Sequence, residues 1–279
     1  MQNGVFQTGN PRWSAVFSLF MGVMALIAAE FIPVSLLTPI ARDLAVSEGM
    51  AGQTVTAVGV LAVLTSLLLA PLTGNTDRRR ILLAFSAMLA ASYMLIGIAP
   101  TYPIMLIGRA ILGICVGGFW SLASAVTLQL VPTKDVPRAL SIVYAGVSVA
   151  TIIALPVASW IGHLIGWRNV FFLGALMAAF GFVWQYRALP SLPARAGSGF
   201  RDMSALLRRT WILAGIGGNI LSFGGYHIFF TYLRPFLELD LALGANTLSV
   251  ILLVFGVANV LGTFIAGALL GNHFRSTMI

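Results

Sequence analysis

The sequence predicts an all-α polytopic membrane protein, and three observations carry that reading. Hydrophobic residues fill 59% of the 279 positions and charged residues only 9%, against roughly 25% charged in soluble domains. A soluble fold cannot cover that much apolar surface. Runs free of Asp, Glu, Lys and Arg extend from Gly49 to Thr76, Ile81 to Gly108, Ala110 to Thr133, Ala139 to Trp167, Asn169 to Tyr186 and Leu241 to Asn272, and each can supply the roughly 17–25 residues of a helical crossing. The basic residues gather in short segments between these runs. The formal charge of +8 therefore orients a membrane protein and does not argue for nucleic acid.

Eight spans follow in order. The first, 14–38, is apolar apart from Glu30 and stops at Pro39; it lacks the small-residue cleavage pattern of a secretory signal and reads as a retained helix. The second and third, 50–72 and 81–99, end near Pro71 and Pro100, and the fourth, 102–129, ends before Pro132. Lost backbone bonds cost least at such span ends. The fifth, 139–161, carries Pro156 internally, which either bends it for function or is a packing kink. The sixth runs 170–188. Pro190 and Pro193 then open a polar stretch to Arg209 that suits a cytoplasmic linker, after which come spans at 211–233 and 247–270. The domains are thus a six-helix bundle over 1–189, a linker over 190–209 and two further helices in 210–279.

With the N-terminus in the cytoplasm, the inner segments hold Arg12, Arg78, Arg79, Arg80, Lys134, Arg138, Arg187, Arg195, Arg201, Arg208, Arg209 and Arg275, whereas the outer ones hold only Arg42, Arg168 and Arg234. That asymmetry fixes the orientation. Arg109 alone remains inside a span.

Glu30 is the acidic residue expected within the hydrocarbon, where a lone carboxylate must be paired, protonated or facing water, so it marks a proton or substrate site. At about 1.5 Å rise per residue, Glu30 lies roughly 14 Å below Pro39 and Arg109 roughly 11 Å below Tyr102, so the two charges share a depth. Glu30 serves either proton coupling or binding of a cationic substrate, with Arg109 tuning its protonation and orienting the cavity, or the two form a purely structural pair. Gln53, Asn219, Tyr226, His227 and Asn259 can hydrogen-bond to a polar organic molecule, and Phe119, Trp120 or Phe223 can stack on a planar one. Helix–helix polar contacts are the plainer reading of Asn219 and Asn259; His227 is either a proton carrier or a neutral packing residue. Asp77 follows the inner end of the second span, where its carboxylate can meet a helix N-terminus or the arginines beside it.

Enzyme chemistry finds no support. His163, His227 and His273 make no metal-ligand cluster with Cys115. A nucleotide-binding loop with its Lys and Ser/Thr is missing from the sequence, and Cys115, the sole cysteine, reads as small-volume packing. No cofactor is expected.

Five segments stand out: Glu30-Phe31-Ile32-Pro33-Val34-Ser35-Leu36-Leu37-Thr38-Pro39-Ile40, Ser47-Glu48-Gly49-Met50-Ala51-Gly52-Gln53, Gly74-Asn75-Thr76-Asp77-Arg78-Arg79-Arg80, Arg109 with Gly113 and Gly117-Gly118-Phe119-Trp120, and Gly166-Trp167-Arg168-Asn169-Val170-Phe171. Together they resemble the major facilitator superfamily, in its drug–proton antiporter branch and most of all its bacterial exporters of purine ribonucleosides. The likeness covers nearly the whole chain and weakens after Gly271.

The resemblance implies a fold of twelve helices in two six-helix halves, of which this sequence supplies eight, as an incomplete record or a truncated product would. It implies proton-coupled efflux of small organic solutes such as inosine or guanosine across a cell inner membrane, with no obligate protein partner for a full-length homologue. Broader drug or sugar efflux and an inactive truncated protein are the alternatives. It makes Asp77, Arg78 and Arg80 a latch between the halves, although Arg79 stands where the family usually has glycine and a topology-setting role stays open. Pro156, with Gly146, Ala150, Ala154 and Ala158, resembles the antiporter motif of the fifth helix and joins the gating set, with ordinary helix packing as the other reading.

Overall fold

The computed structural model describes residues 11–74, 76–193 and 208–237, together with 241, 247, 250–251, 253–258 and 261–262. It is helical throughout its regular parts. The elements are α1 (Trp13–Ser35), α2 (Leu37–Asp43), α3 (Glu48–Thr73), α4 (Arg78–Ile98), α5 (Tyr102–Leu130), α6 (Val136–Ile165), α7 (Trp167–Ala188) and α8 (Thr210–Pro235), with a single 3-10 turn, Thr133–Asp135, before α6.

Local chemistry sets the breaks. The first expected span divides at Leu36, and the short α2 follows at a turn in which the Leu36 amide donates to the Pro33 carbonyl at 3.2 Å. Ser47 caps α3 by accepting from the Met50 amide at 3.2 Å, which satisfies one of the free donors of a helix start. The helix ends at Gly74, whose φ of 42° is costly for a side chain. Pro103 lies in the first turn of α5 and Pro137 in that of α6, where proline displaces no backbone bond. Gly166, at φ 87°, turns α6 directly into α7, so the expected outer loop between the fifth and sixth spans shrinks to one residue. Pro156 lies inside an unbroken α6.

Six helices among the described residues are long and apolar enough to cross a membrane, and they fall on the first six expected spans. Helix α8 covers the seventh. Much of the linker, most of the eighth span and Asn259 lie outside the described residues.

Helix α1 packs against α6 and α7, α3 against α5, and α4 against both α5 and α7. Close approach is built in by small residues. A Cβ on Gly117 would lie 2.1 Å from the Ala62 carbonyl oxygen, and one on Gly113 2.6 Å from that of Val58. Polar pins complete the bundle: Ser86 donates to Gln185 at 2.7 Å, Gln185 donates to the Ser18 carbonyl at 3.2 Å, and Tyr93 donates to the Ala25 carbonyl at 2.8 Å. In a bilayer such bonds replace water as partners for polar groups.

Candidate functional site

A cavity of about 780 Å³ opens where α1, α5, α6 and α8 meet. Helical periodicity explains its lining, since each helix gives residues spaced by one or two turns. Ile27, Glu30 and Phe31 come from α1, Val116 and Trp120 from α5, Tyr144, Val147 and Thr151 from α6, and Ser222, Phe223 and Tyr226 from α8. The wall is mainly apolar with a few hydroxyls and one carboxylate. That composition suits an organic solute with a flat apolar part and a few polar groups.

Arg109 lies behind Glu30 and is fully buried. Its position follows from a backbone defect in α1. Pro33 has no N–H, so the Ala29 carbonyl, four residues earlier, lacks its helical partner. Arg109 supplies the missing donor: Nη1 gives to the Ala29 carbonyl at 2.7 Å, while Nη2 lies 3.5 Å from the Glu30 carbonyl and Nε donates to the Thr54 carbonyl at 3.2 Å. The guanidinium therefore ties α5 to α1 and α3 at the depth of Glu30, and the charges of Glu30 and Arg109 attract each other. Pro33 is a residue that sequence reasoning passed over. Its signal was present as a proline four positions after a carbonyl in the same turn as the lone acid.

The remaining expected contacts separate. Trp120 borders the cavity and stacks on Tyr144, with ring centroids 5.7 Å apart and planes inclined by 13°. Phe119, one residue away, points into the core, where its ring would lie 2.9 Å from a Cβ on Gly22. Phe223 and Tyr226 reach the cavity. Gln53 on α3 and Asn219 on α8 are exposed and do not line it. The side chain of His227 lies outside the described residues. Tyr144, Thr151 and Ser222 were not singled out from sequence; Tyr144, Val147 and Thr151 follow an i, i+3, i+7 stripe that a hydrophobic span conceals.

At the other end of the bundle, Asp77 caps α4 by accepting from the Arg79 amide at 2.8 Å. The same carboxylate accepts from the Leu192 amide at 3.0 Å and from the Ser191 hydroxyl at 2.5 Å, while the Arg78 amide donates to the Leu192 carbonyl at 2.9 Å. The Arg78 guanidinium turns back to Thr73 at 2.8 Å, and that of Arg79 donates to the Tyr186 carbonyl at 2.6 Å. Desolvation opposes ionisation of Asp77, but the bonds from Ser191, Leu192 and Arg79 and the nearby Arg80 charge outweigh it and hold the carboxyl below its usual range. The loop thus fastens the chain just after α7, where the expected linker begins. At the opposite end of the bundle Arg168 pairs with Asp43 and donates to the Ala99 carbonyl at 2.9 Å. The Arg168 hydrogen bond is the main reason the Asp43 carboxyl is held low.

The apolar helical bundle, the mutual attraction of Glu30 and Arg109 within it and the cavity that Glu30 lines define a polytopic membrane protein with a solute-sized chamber between its helices. The chain belongs to the Major Facilitator Superfamily, whose family model matches residues 15–279. It is 42% identical over 265 residues to the purine ribonucleoside efflux pump NepI of Shigella dysenteriae serotype 1, a match covering 95% of this chain and 67% of that protein. The pump of the same name from Salmonella typhimurium is 42% identical over 253 residues, covering 91% of this chain and 64% of that protein. The chain thus spans about two thirds of the length of the curated relatives it matches.

Among solved structures, a bacterial homologue of the human lysosomal transporter Spinster, inward-facing and unoccupied, superposes with a TM-score of 0.71 at 17% identity, covering 93% of this chain and 62% of that one. A D-xylose–proton symporter gives 0.61 at 17% identity, covering 92% and 67%. These two likenesses are of fold.

Proposed function

We propose that this chain serves proton-coupled efflux of purine ribonucleosides such as inosine or guanosine. The observation that carries the reading is the cavity in which Glu30 faces an aromatic wall, in a chain 42% identical to pumps named for that cargo. A purine can stack on the wall while hydroxyls and the carboxylate meet ribose and base edges. Glu30 exchanges a proton taken from the outer side for the cargo released there: the carboxylate accepts the proton, becomes neutral, and gives it up toward the cytoplasm when the cavity faces inward. Arg109, bonded to the Ala29 carbonyl and 3.5 Å from the Glu30 carbonyl, holds Glu30's helix in register. Asp77, Arg78 and Arg80 fasten the cytoplasmic face, and Pro156 lets α6 bend as access changes. A full-length carrier of this kind runs on the proton gradient alone, without cofactor or obligate protein partner.

In this reading residues 1–279 supply eight spans in a cell inner membrane, with the N-terminus in the cytoplasm, a six-helix bundle over 1–189, a linker over 190–209 and two helices of the second bundle in 210–279. The strong bias of arginine and lysine to one side supports that orientation. The test is flux of labelled inosine in proteoliposomes with and without an imposed pH gradient. Gradient-driven transport that Glu30→Gln abolishes, at equal reconstituted protein, is the expected result. Coupled flux that survives Glu30→Gln overturns the role of Glu30, and flux of an unrelated hydrophobic drug without flux of inosine overturns the cargo.

A further inference from the structure

Trp120 and Tyr144 form a stacked aromatic pair on the cavity wall. Trp120 on α5 and Tyr144 on α6 stack nearly parallel, at 13°, with centroids 5.7 Å apart. The Tyr144 hydroxyl is in hydrogen-bond contact with that of Ser124 at 2.8 Å, and Ser124 lies one helical turn beyond Trp120 on the same helix. Stacking at one end and the hydroxyl contact at the other fix the Tyr144 ring. Tyr144 is nevertheless 43% exposed, and both rings line the cavity that Glu30 also lines.

The Ser124 contact occupies one hydrogen-bonding position of the Tyr144 hydroxyl and, with the stack, sets where the flat apolar face of the ring lies. Fixed aromatic faces bind bases through stacking, and the rings lose little conformational freedom on binding. A purine bicycle covers more of such a face than a single pyrimidine ring, and a bare sugar covers none of it in this way.

We infer that Tyr144, braced by Ser124 and continuous with Trp120, is the residue that makes the cavity prefer purine over pyrimidine nucleosides. The inference rests on the proposed nucleoside cargo and adds the element that sets base selectivity. Glu30 and the hydroxyl-bearing residues act on polar edges that both classes of nucleoside possess. The braced slab acts on ring area, in which the two classes differ.

The experiment is equilibrium binding of labelled inosine to the purified full chain in detergent, with unlabelled guanosine, uridine and D-ribose as competitors. The unaltered protein should favour inosine and guanosine over uridine. Tyr144→Leu keeps an apolar side chain without a ring and should weaken inosine about tenfold and uridine by clearly less, lowering the inosine-to-uridine ratio; Tyr144→Phe retains the ring and should keep most of the preference. A general packing defect would instead weaken both nucleosides alike and leave the ratio intact. An unchanged inosine-to-uridine ratio in Tyr144→Leu overturns the inference while the cargo assignment stands. Failure of the unaltered protein to bind any of the nucleosides overturns the cargo assignment and the inference together.

Discussion

Arg109→Ala removes the donor that satisfies the Ala29 carbonyl, and the structure sets what that should cost. Arg109 is fully buried and reaches the Ala29, Glu30 and Thr54 carbonyls. Breaking such a buried charged arrangement costs on the order of 3–5 kcal/mol. The share belonging to Ala29 is about 1–3 kcal/mol, the penalty for a buried acceptor left without a donor. That share exists only because Pro33 cannot donate. In a Pro33→Ala background the residue 33 amide becomes available to the Ala29 carbonyl, so Arg109→Ala should cost about 1–2 kcal/mol less than it does in the natural sequence. Losses common to both backgrounds, including the exposed charge of Glu30 and the Thr54 contact, cancel in the cycle.

The assay is SDS-induced unfolding in mixed micelles, followed by helicity, for the natural chain, both single variants and the double variant. Additivity within about 0.5 kcal/mol would refute the argument, because it would mean that Arg109 is not standing in for the missing amide.

Asp77→Ala should destabilise the protein by about 1–2 kcal/mol near neutral pH through loss of the cap and of the Ser191 and Leu192 bonds. The native carboxyl is held below its usual 3.8, so this contribution is present above that value and disappears as pH falls through the lowered one; the two proteins should have parallel unfolding midpoints from about pH 5 to pH 8 and converge in stronger acid. Gly117→Ala would place a methyl carbon 2.1 Å from the Ala62 carbonyl oxygen. The resulting separation of α3 and α5 should cost about 1–3 kcal/mol, read as a lower midpoint in the same SDS titration, and a midpoint equal to that of the natural chain would contradict the packing. Asp43→Asn should change the midpoint by less than about 1 kcal/mol, because its pairing with Arg168 is solvent-exposed, and the difference should shrink further in high salt.

The class of protein, its first six spans and its membership signals were legible in sequence because hydrocarbon imposes a length and a near-absence of charge on every crossing helix. The same rule exposed Glu30 and Arg109. Two ionisable groups cannot lie inside a span without a reason, and counting residues from each span's end already put them at one depth.

Which neighbours those helices have, and which way each side chain faces, was decided by tertiary structure alone. Phe119 and Trp120 are adjacent aromatics with equal claim on a cargo, yet one fills the space beside Gly22 and the other opens on the cavity. Tyr144 could not be told from any other apolar-span tyrosine until α5 brought Trp120 and Ser124 against it. Asp77 announced a helix cap, but its hold on Ser191 and Leu192 joins positions 114 and 115 residues apart. The physical reason is that lipid tails are as apolar as a protein core, so a membrane helix need not be amphipathic, and the pattern that reveals the buried face of a soluble helix is erased.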